Sequence, residues 1–178
     1  GARNGDLIYV SGTVGDAALG LQLLSGPDGL SDDGENRVVE RLLRPEPRTL
    51  LGQALRPWAT AAIDLSDGLA ADLAHVAVAS GGLGVVIEEN RLPLSSEALE
   101  VRTRKQLIPI ALSGGDDYEL CFCVPPERRG EIDRLSNQLR LPLTMIGQMA
   151  TTPGIWLVGE SDVPEEYRSG GYLHRWID

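Results

Sequence analysis

The chain has 178 residues, 42% of them hydrophobic and 24% charged, with 16 basic against 26 acidic side chains and a net charge of -10 at pH 7. This is the composition of one folded domain with its own core, not of a disordered tail. The acidic balance argues against nucleic acid or an anionic membrane as partner, and no apolar run approaches the ~20 residues that cross a bilayer.

Asn4-Gly5 is a turn signal, and the apolar, β-prone run Leu7 to Val10 predicts a strand. Gly12 to Asp16 breaks the chain, and Ala17, Leu21 and Leu24 at i, i+4, i+7 predict a helix that starts near Asp16, an acid suited to the positive N-terminal end. "SGPDGLSDDGEN" reads as a loop; Leu30 stands where a calcium loop needs an oxygen ligand, so its acids Asp28, Asp32 and Asp33 do not form an EF-hand. Val38, Val39, Leu42 and Leu43 make a helical stripe that must stop before Pro45, and "RPEPR" continues as a stiff connector to a short helix around Leu50 to Leu55.

A strand "AAIDLS" then runs into a helix from about Asp67 to Ser80, with Leu69, Leu73, Val76 and Ser80 inward and Gly81-Gly82 as its stop. "LGVVIEE" is a further strand, Asn90 to Pro93 a turn, and Ser95 or Ser96 the N-cap of a helix through 97–107. "SGGDDYELCFCVPP" is a glycine loop feeding a strand in which Tyr118, Leu120, Phe122 and Val124 share a face; a helix with Ile132, Leu135 and Leu139 follows. Short strands near Leu143 to Ile146 and Ile155 to Val158 precede the aromatic end "GGYLHRWID". Strands and helices interleave, so the expected fold class is α+β, a mixed β-sheet covered by helices. Cys121 and Cys123, at i, i+2 on one strand face, cannot bridge without strain and read as free thiols of a reducing, cytoplasmic compartment. The basic groupings Arg102 to Lys105 and Arg128-Arg129 lie among acids and read as solvated helix faces.

Two loops carry chemistry. In the first, Asp64 and Ser66 share a strand face while Leu65 points into the core, and Asp67 sits at the turn. Three hard oxygen groups on one edge suit Mg²⁺, with phosphate supplying its remaining ligands, and Asp67-Gly68 at a helix start lets backbone N–H groups approach a phosphate. The plainer reading is that Ser66 or Asp67 merely caps the helix, which leaves Asp64 unexplained. In the second loop, Ser113 to Asp117, flexible glycines precede adjacent acids; alone it is equally an ordinary turn. There is no GxxxxGK[ST] loop and no GxGxxG, and of the only histidines, His75 and His174, the first reads as a surface residue beside Asp72 on the outer side of its helix.

"IDLSDGLAADL" and "LSGGDDYEL", with "GDLIYVSGTVGDAALGLQLL" before them and "PEPR" between, resemble the C-terminal half of the thiamine-monophosphate kinase family, within the superfamily of aminoimidazole ribonucleotide synthetase and selenophosphate synthetase. The resemblance implies ATP- and Mg²⁺-dependent phosphorylation of thiamine monophosphate to thiamine diphosphate. It implies Asp64 and Asp67 as Mg²⁺ ligands, Ser66 as an ATP contact, and Asp116 and Tyr172 as contacts to the thiamine phosphate. It further implies that residues 1–178 form a single C-terminal substrate- and ATP-binding domain. The family's N-terminal domain, which brings further metal-binding aspartates, an ATP arginine and much of the homodimer interface, lies outside this sequence. The fragment alone is then expected to be inactive. The alternatives are another ATP-dependent synthetase of the superfamily, or an isolated binding or oligomerisation domain.

Overall fold

A computed structural model of the chain describes residues 1–26 and 33–168. Its elements run β1 (Leu7–Ser11), α1 (Asp16–Leu24), α2 (Asp33–Leu43), α3 (Thr49–Leu55), β2 (Ala61–Asp64), α4 (Leu69–Ala79), β3 (Gly84–Glu88), α5 (Ser96–Val101), α6 (Arg104–Ser113), β4 (Leu120–Val124), α7 (Arg129–Leu139), β5 (Leu143–Ala150), β6 (Gly154–Val158) and β7 (Pro164–Glu166). The strands form a seven-stranded sheet in the order β2-β4-β1-β5-β3-β6-β7. All neighbours are antiparallel except β3 and β6, so the sheet is mixed, as the interleaved pattern predicts.

The centre of the sheet is covered on both faces. Ile8, Val10, Cys121 and Cys123 point to the layer of α4 and α6, where Leu69, Leu73, Val76, Ala111 and Leu112 close the largest core. Tyr9, Phe122 and Val124 point the other way, onto Leu51 and Leu55 of α3 and Ile132 and Leu135 of α7. Tyr9 and Phe122 are cross-strand partners and stack with ring centroids 5.6 Å apart. A third cluster joins α1 and α2 to α5 and α6 through Leu19, Leu23, Val38, Val39, Ala98 and Leu107.

Several elements depart from the sequence pattern. The inward stripe of α1 is Ala17, Leu19, Gly20 and Leu23, while Leu21 and Leu24 remain 54% and 46% exposed. The cause is Gly20, whose bare Cα lets α1 lie against the backbone of Val38 and Val39 in α2 and so fixes which leucines turn inward. The region 97–107 is two helices instead of one, broken at Arg102-Thr103: Ser95 caps the first by accepting from Ala98 N–H, and Thr103 with Gln106 forms a capping box for the second. Arg104 is not a solvated cation, because it donates to the carbonyls of Glu89, Asn90 and Leu92 and ties α6 to the preceding turn. Tyr118 lies outside β4, 42% exposed, so the shared strand face holds only for Leu120, Phe122 and Val124. Strand β7 is not foreseen in the sequence; its residues are exposed and carry no hydrophobic alternation.

Both thiols are free and buried; burial pushes Cys121 well up and Cys123 up to about 12. No helix among the described residues is long and apolar enough to cross a membrane.

The Tyr9 hydroxyl is buried with no hydrogen-bond partner among the described residues. Removing an unsatisfied buried polar group relieves a desolvation cost of about 1–3 kcal/mol. Tyr9→Phe is therefore expected to hold or raise the denaturation midpoint, whereas Leu73→Ala, at a fully buried position, is expected to lower stability by about 2–5 kcal/mol. Urea unfolding of both variants checks the pair; a loss in Tyr9→Phe comparable to that in Leu73→Ala would contradict this account of the core.

Candidate functional site

Strand β2 delivers the first acid loop at the edge of the sheet. Asp64 ends the strand exposed, Leu65 drops into the core at 1% exposure, and Ser66 and Asp67 follow, half-buried, before α4 begins at Leu69. Ser66 thus lies beyond the strand. Gly68 is the N-cap, with φ of 113° and no side-chain cap, and a Cβ there would stand 2.9 Å from the Ser113 carbonyl carbon. Only glycine suits both the dihedral and the space.

The second loop lies directly against the first. The Asp116 N–H donates to the Ser66 carbonyl at 3.0 Å and the Tyr118 N–H to the Leu65 carbonyl at 2.9 Å. Gly115 faces the Ser66 carbonyl so closely that any Cβ would collide with it. Asp116 and Tyr118 hold left-handed conformations, φ 67° and 50°, which are uncommon outside glycine and mark a loop shaped by its surroundings. The Tyr118 hydroxyl donates to Asp116 Oδ1 at 3.2 Å. The structure therefore brings Asp64, Ser66, Asp67 and Asp116 to one edge of the molecule, and Tyr172 lies outside the described residues.

The side chains of this edge divide into two sets. Those of Asp64, Ser66 and Asp67 make no hydrogen bond or ion pair among the described residues, so neither Ser66 nor Asp67 caps α4. Asp72 takes that role from inside the helix: 2% exposed, its Oδ2 accepts from the N–H groups of Ser66 and Asp67, each at 3.1 Å. Burial, opposed by these N–H groups but helped by the Asp67 charge, raises its pKa. The expected outward placement of Asp72 is thus corrected, while His75 is exposed as expected. The helical spacing held the signal, because Asp72 falls at i+3 from Leu69 and i−4 from Val76, on the same stripe. One ligand atom from each of Asp67, Asp72 and His75 lies within 4.8 Å of the others. Hard carboxylate oxygens of this kind fit Mg²⁺.

Beside this edge, Asp117 turns back to α1. Its carboxylate accepts from Gly15 N–H at 2.6 Å and Ala17 N–H at 3.1 Å, so the helix N-terminus is satisfied by a residue 100 positions away, and not by Asp16. Asp16 is buried and instead accepts from Ser95 and Thr13 hydroxyls, with Arg41 at 3.4 Å. Glu119 is buried too and receives a two-pronged guanidinium from Arg48 at 2.7 and 2.5 Å, plus the Ser11 hydroxyl at 2.5 Å. Arg48 belongs to the "RPEPR" connector, which with Thr49, Gly52, Leu120, Tyr118 and Asp64 walls a cavity of about 600 Å³ next to the acid edge.

Compared with known proteins, residues 3–158 match the family described as AIR synthase related protein, C-terminal domain. A thiamine-monophosphate kinase of Salmonella typhimurium is 46% identical over 176 residues, covering 98% of this chain and 54% of that protein. Among solved structures, the thiamine-monophosphate kinase of Stenotrophomonas maltophilia is similar with a TM-score of 0.82 at 41% identity, over 89% of this chain and 52% of that one. AaThiL complexed with AMPPCP and TMP is similar with a TM-score of 0.81 at 34% identity, over 98% of this chain and 53% of that one. The chain spans about half the length of the relatives it matches.

Burial, together with the Asp16 and Glu119 charges, outweighs the two N–H groups on Asp117 and pushes its pKa from 3.8 up to about 7. The folded protein then holds a proton that the unfolded chain releases, so Asp117 makes stability fall as pH rises from about 4 to about 7. Asp117→Asn is expected to remove that part of the slope in urea titrations at a series of pH values; an unchanged slope between pH 4 and 7 would show that Asp117 titrates normally.

Proposed function

Because this chain belongs to the AIR synthase related proteins, as their C-terminal domain, we propose that it forms one half of a thiamine-monophosphate kinase, which transfers the γ-phosphoryl group of ATP to thiamine monophosphate. The observation that carries this reading is the fused pair of acid loops, in which the side chains of Asp64, Ser66 and Asp67 have no hydrogen-bond or ion-pair partner among the described residues. The matched kinases and the AMPPCP and TMP complex of AaThiL support the choice of nucleotide and acceptor.

In this reading Asp64 and Asp67 hold Mg²⁺, which supplies charge neutralisation to the phosphates during transfer. Ser66 binds the nucleotide, and Asp116 and Tyr172 bind the acceptor. At the N-terminus of α4 the N-cap Gly68 has no side chain, and the first-turn N–H groups that Asp72 does not take are open to phosphate. The loop-to-loop hydrogen bonds keep nucleotide and acceptor contacts at a fixed separation, and positioning of this kind is most of what phosphoryl transfer asks of a protein. The attacking group is an oxygen of a phosphate already ionised near neutral pH, so no general base is required and His75 has no part in the step. The remaining ligands come from an N-terminal domain outside these 178 residues, in a cytoplasmic homodimer. The unpaired thiols are consistent with that compartment.

The test is conversion of thiamine monophosphate to thiamine diphosphate by the complete two-domain protein with ATP and Mg²⁺, followed by chromatography. Asp64→Ala and Asp67→Ala are each expected to lower kcat/KM by about a hundredfold or more with circular dichroism unchanged. Residues 1–178 alone are expected to turn over at background. Unimpaired turnover in both variants would remove the metal assignment, and no thiamine diphosphate from the complete protein would remove the substrate.

A further inference from the structure

Asp72 stands out as a buried carboxylate on an otherwise apolar helix face. It occupies the buried face of α4, between Leu69 on one side and Leu73 and Val76 on the other, and a leucine there would simply continue the apolar stripe. Burying a carboxylate costs several kcal/mol unless its hydrogen bonds are good ones. Its bonds go to the N–H groups of Ser66 and Asp67, the two residues whose side chains carry the proposed nucleotide and metal contacts. Position 68 has room and backbone only for glycine, so the N-cap has no side chain of its own and the preceding N–H groups fall to Asp72. By capping from within, Asp72 leaves the Ser66 hydroxyl and the Asp67 carboxylate unspent.

We propose that Asp72 is a positioning residue for phosphoryl transfer: its buried carboxylate fixes the Ser66-Asp67 backbone and thereby aims both side chains at the metal–nucleotide complex. The inference rests on the function proposed above. Three features of the site support it. The Ser66 carbonyl, on the same short segment, accepts from Asp116 N–H, so a shift of this segment also moves the acceptor loop. Gly68 and Gly115 are packed against the opposing loop too tightly for it to settle elsewhere without cost. The Asp72 and Asp67 carboxylates also lie within 4.8 Å of each other, so the Asp72 charge acts directly on the Asp67 side chain.

Two variants and two readouts test this. Asp72→Ala removes the acceptor, whereas Asp72→Asn keeps an oxygen able to take both N–H groups. Amide hydrogen exchange of Ser66 and Asp67, followed by NMR on the 178-residue chain, is expected to quicken about tenfold or more in Asp72→Ala and to stay near that of the parent in Asp72→Asn. Binding of Mn²⁺·AMPPCP to the complete protein is expected to weaken by about 10- to 100-fold in Asp72→Ala, measured where circular dichroism shows it folded, and to be largely restored in Asp72→Asn. A merely structural role would lower the thermal midpoint and leave affinity and Asn rescue unmoved. Unchanged exchange at Ser66 and Asp67 in Asp72→Ala overturns the proposal, as does unchanged affinity in the folded variant. A parent protein that binds no Mn²⁺·AMPPCP sinks the proposed function, while the exchange data still decide whether Asp72 governs the loop.

Discussion

Two backbone hydrogen bonds, Asp116 N–H to the Ser66 carbonyl and Tyr118 N–H to the Leu65 carbonyl, make a single rigid edge from segments about fifty residues apart in sequence. The geometry of the candidate site depends on them. They force the second loop into left-handed backbone at Asp116 and Tyr118, require glycine at 68 and 115, and place the acids of both loops on one side of the sheet. A side chain at either glycine would push the loops apart before it changed any charge.

A chain of net charge -10 that gathers acids at one place must keep them from repelling the fold open. It does so by giving each buried acid donors of its own. Asp72 and Asp117 take backbone N–H groups at two helix starts, Asp16 takes hydroxyls, and Glu119 takes the Arg48 fork. Asp64 and Asp67, nearer to water, have no such donors among the described residues, which fits the cation-binding role proposed for them. The "RPEPR" connector gains a structural reason in the same way. Its prolines stiffen the approach of Arg48 to Glu119, and the connector then walls the neighbouring cavity.

The placement of the first acid loop is legible from spacing because it is local: Asp64, Leu65, Ser66 and Asp67 are consecutive, and strand alternation alone sends Leu65 inward and Asp64 out. The pairing of the two loops was readable only as a shared grammar of glycine and acid. The geometry that unites them is a contact across the sheet edge, and no local period encodes it. Asp72 was misread for a related reason. A carboxylate on an apolar stripe contradicts the polar-outside rule, and its compensation comes from N–H groups that precede the helix. The α1 stripe failed because Leu19, Leu21, Leu23 and Leu24 satisfy more than one register, and the choice was made by the close approach of α2 at Gly20. The split of 97–107 into two helices was signalled by Thr103 and Gln106, a capping box inside what looked like one run.

The two cysteines of β4 are buried under the helical layer of the sheet with thiols held almost wholly protonated. Electrophiles and peroxides react with thiolate, and here there is next to none to meet them. The native sulfurs can therefore stay in place while a new cysteine on the surface takes a maleimide or spin label alone. That makes distances between the two acid loops open to spectroscopy without first rebuilding the core.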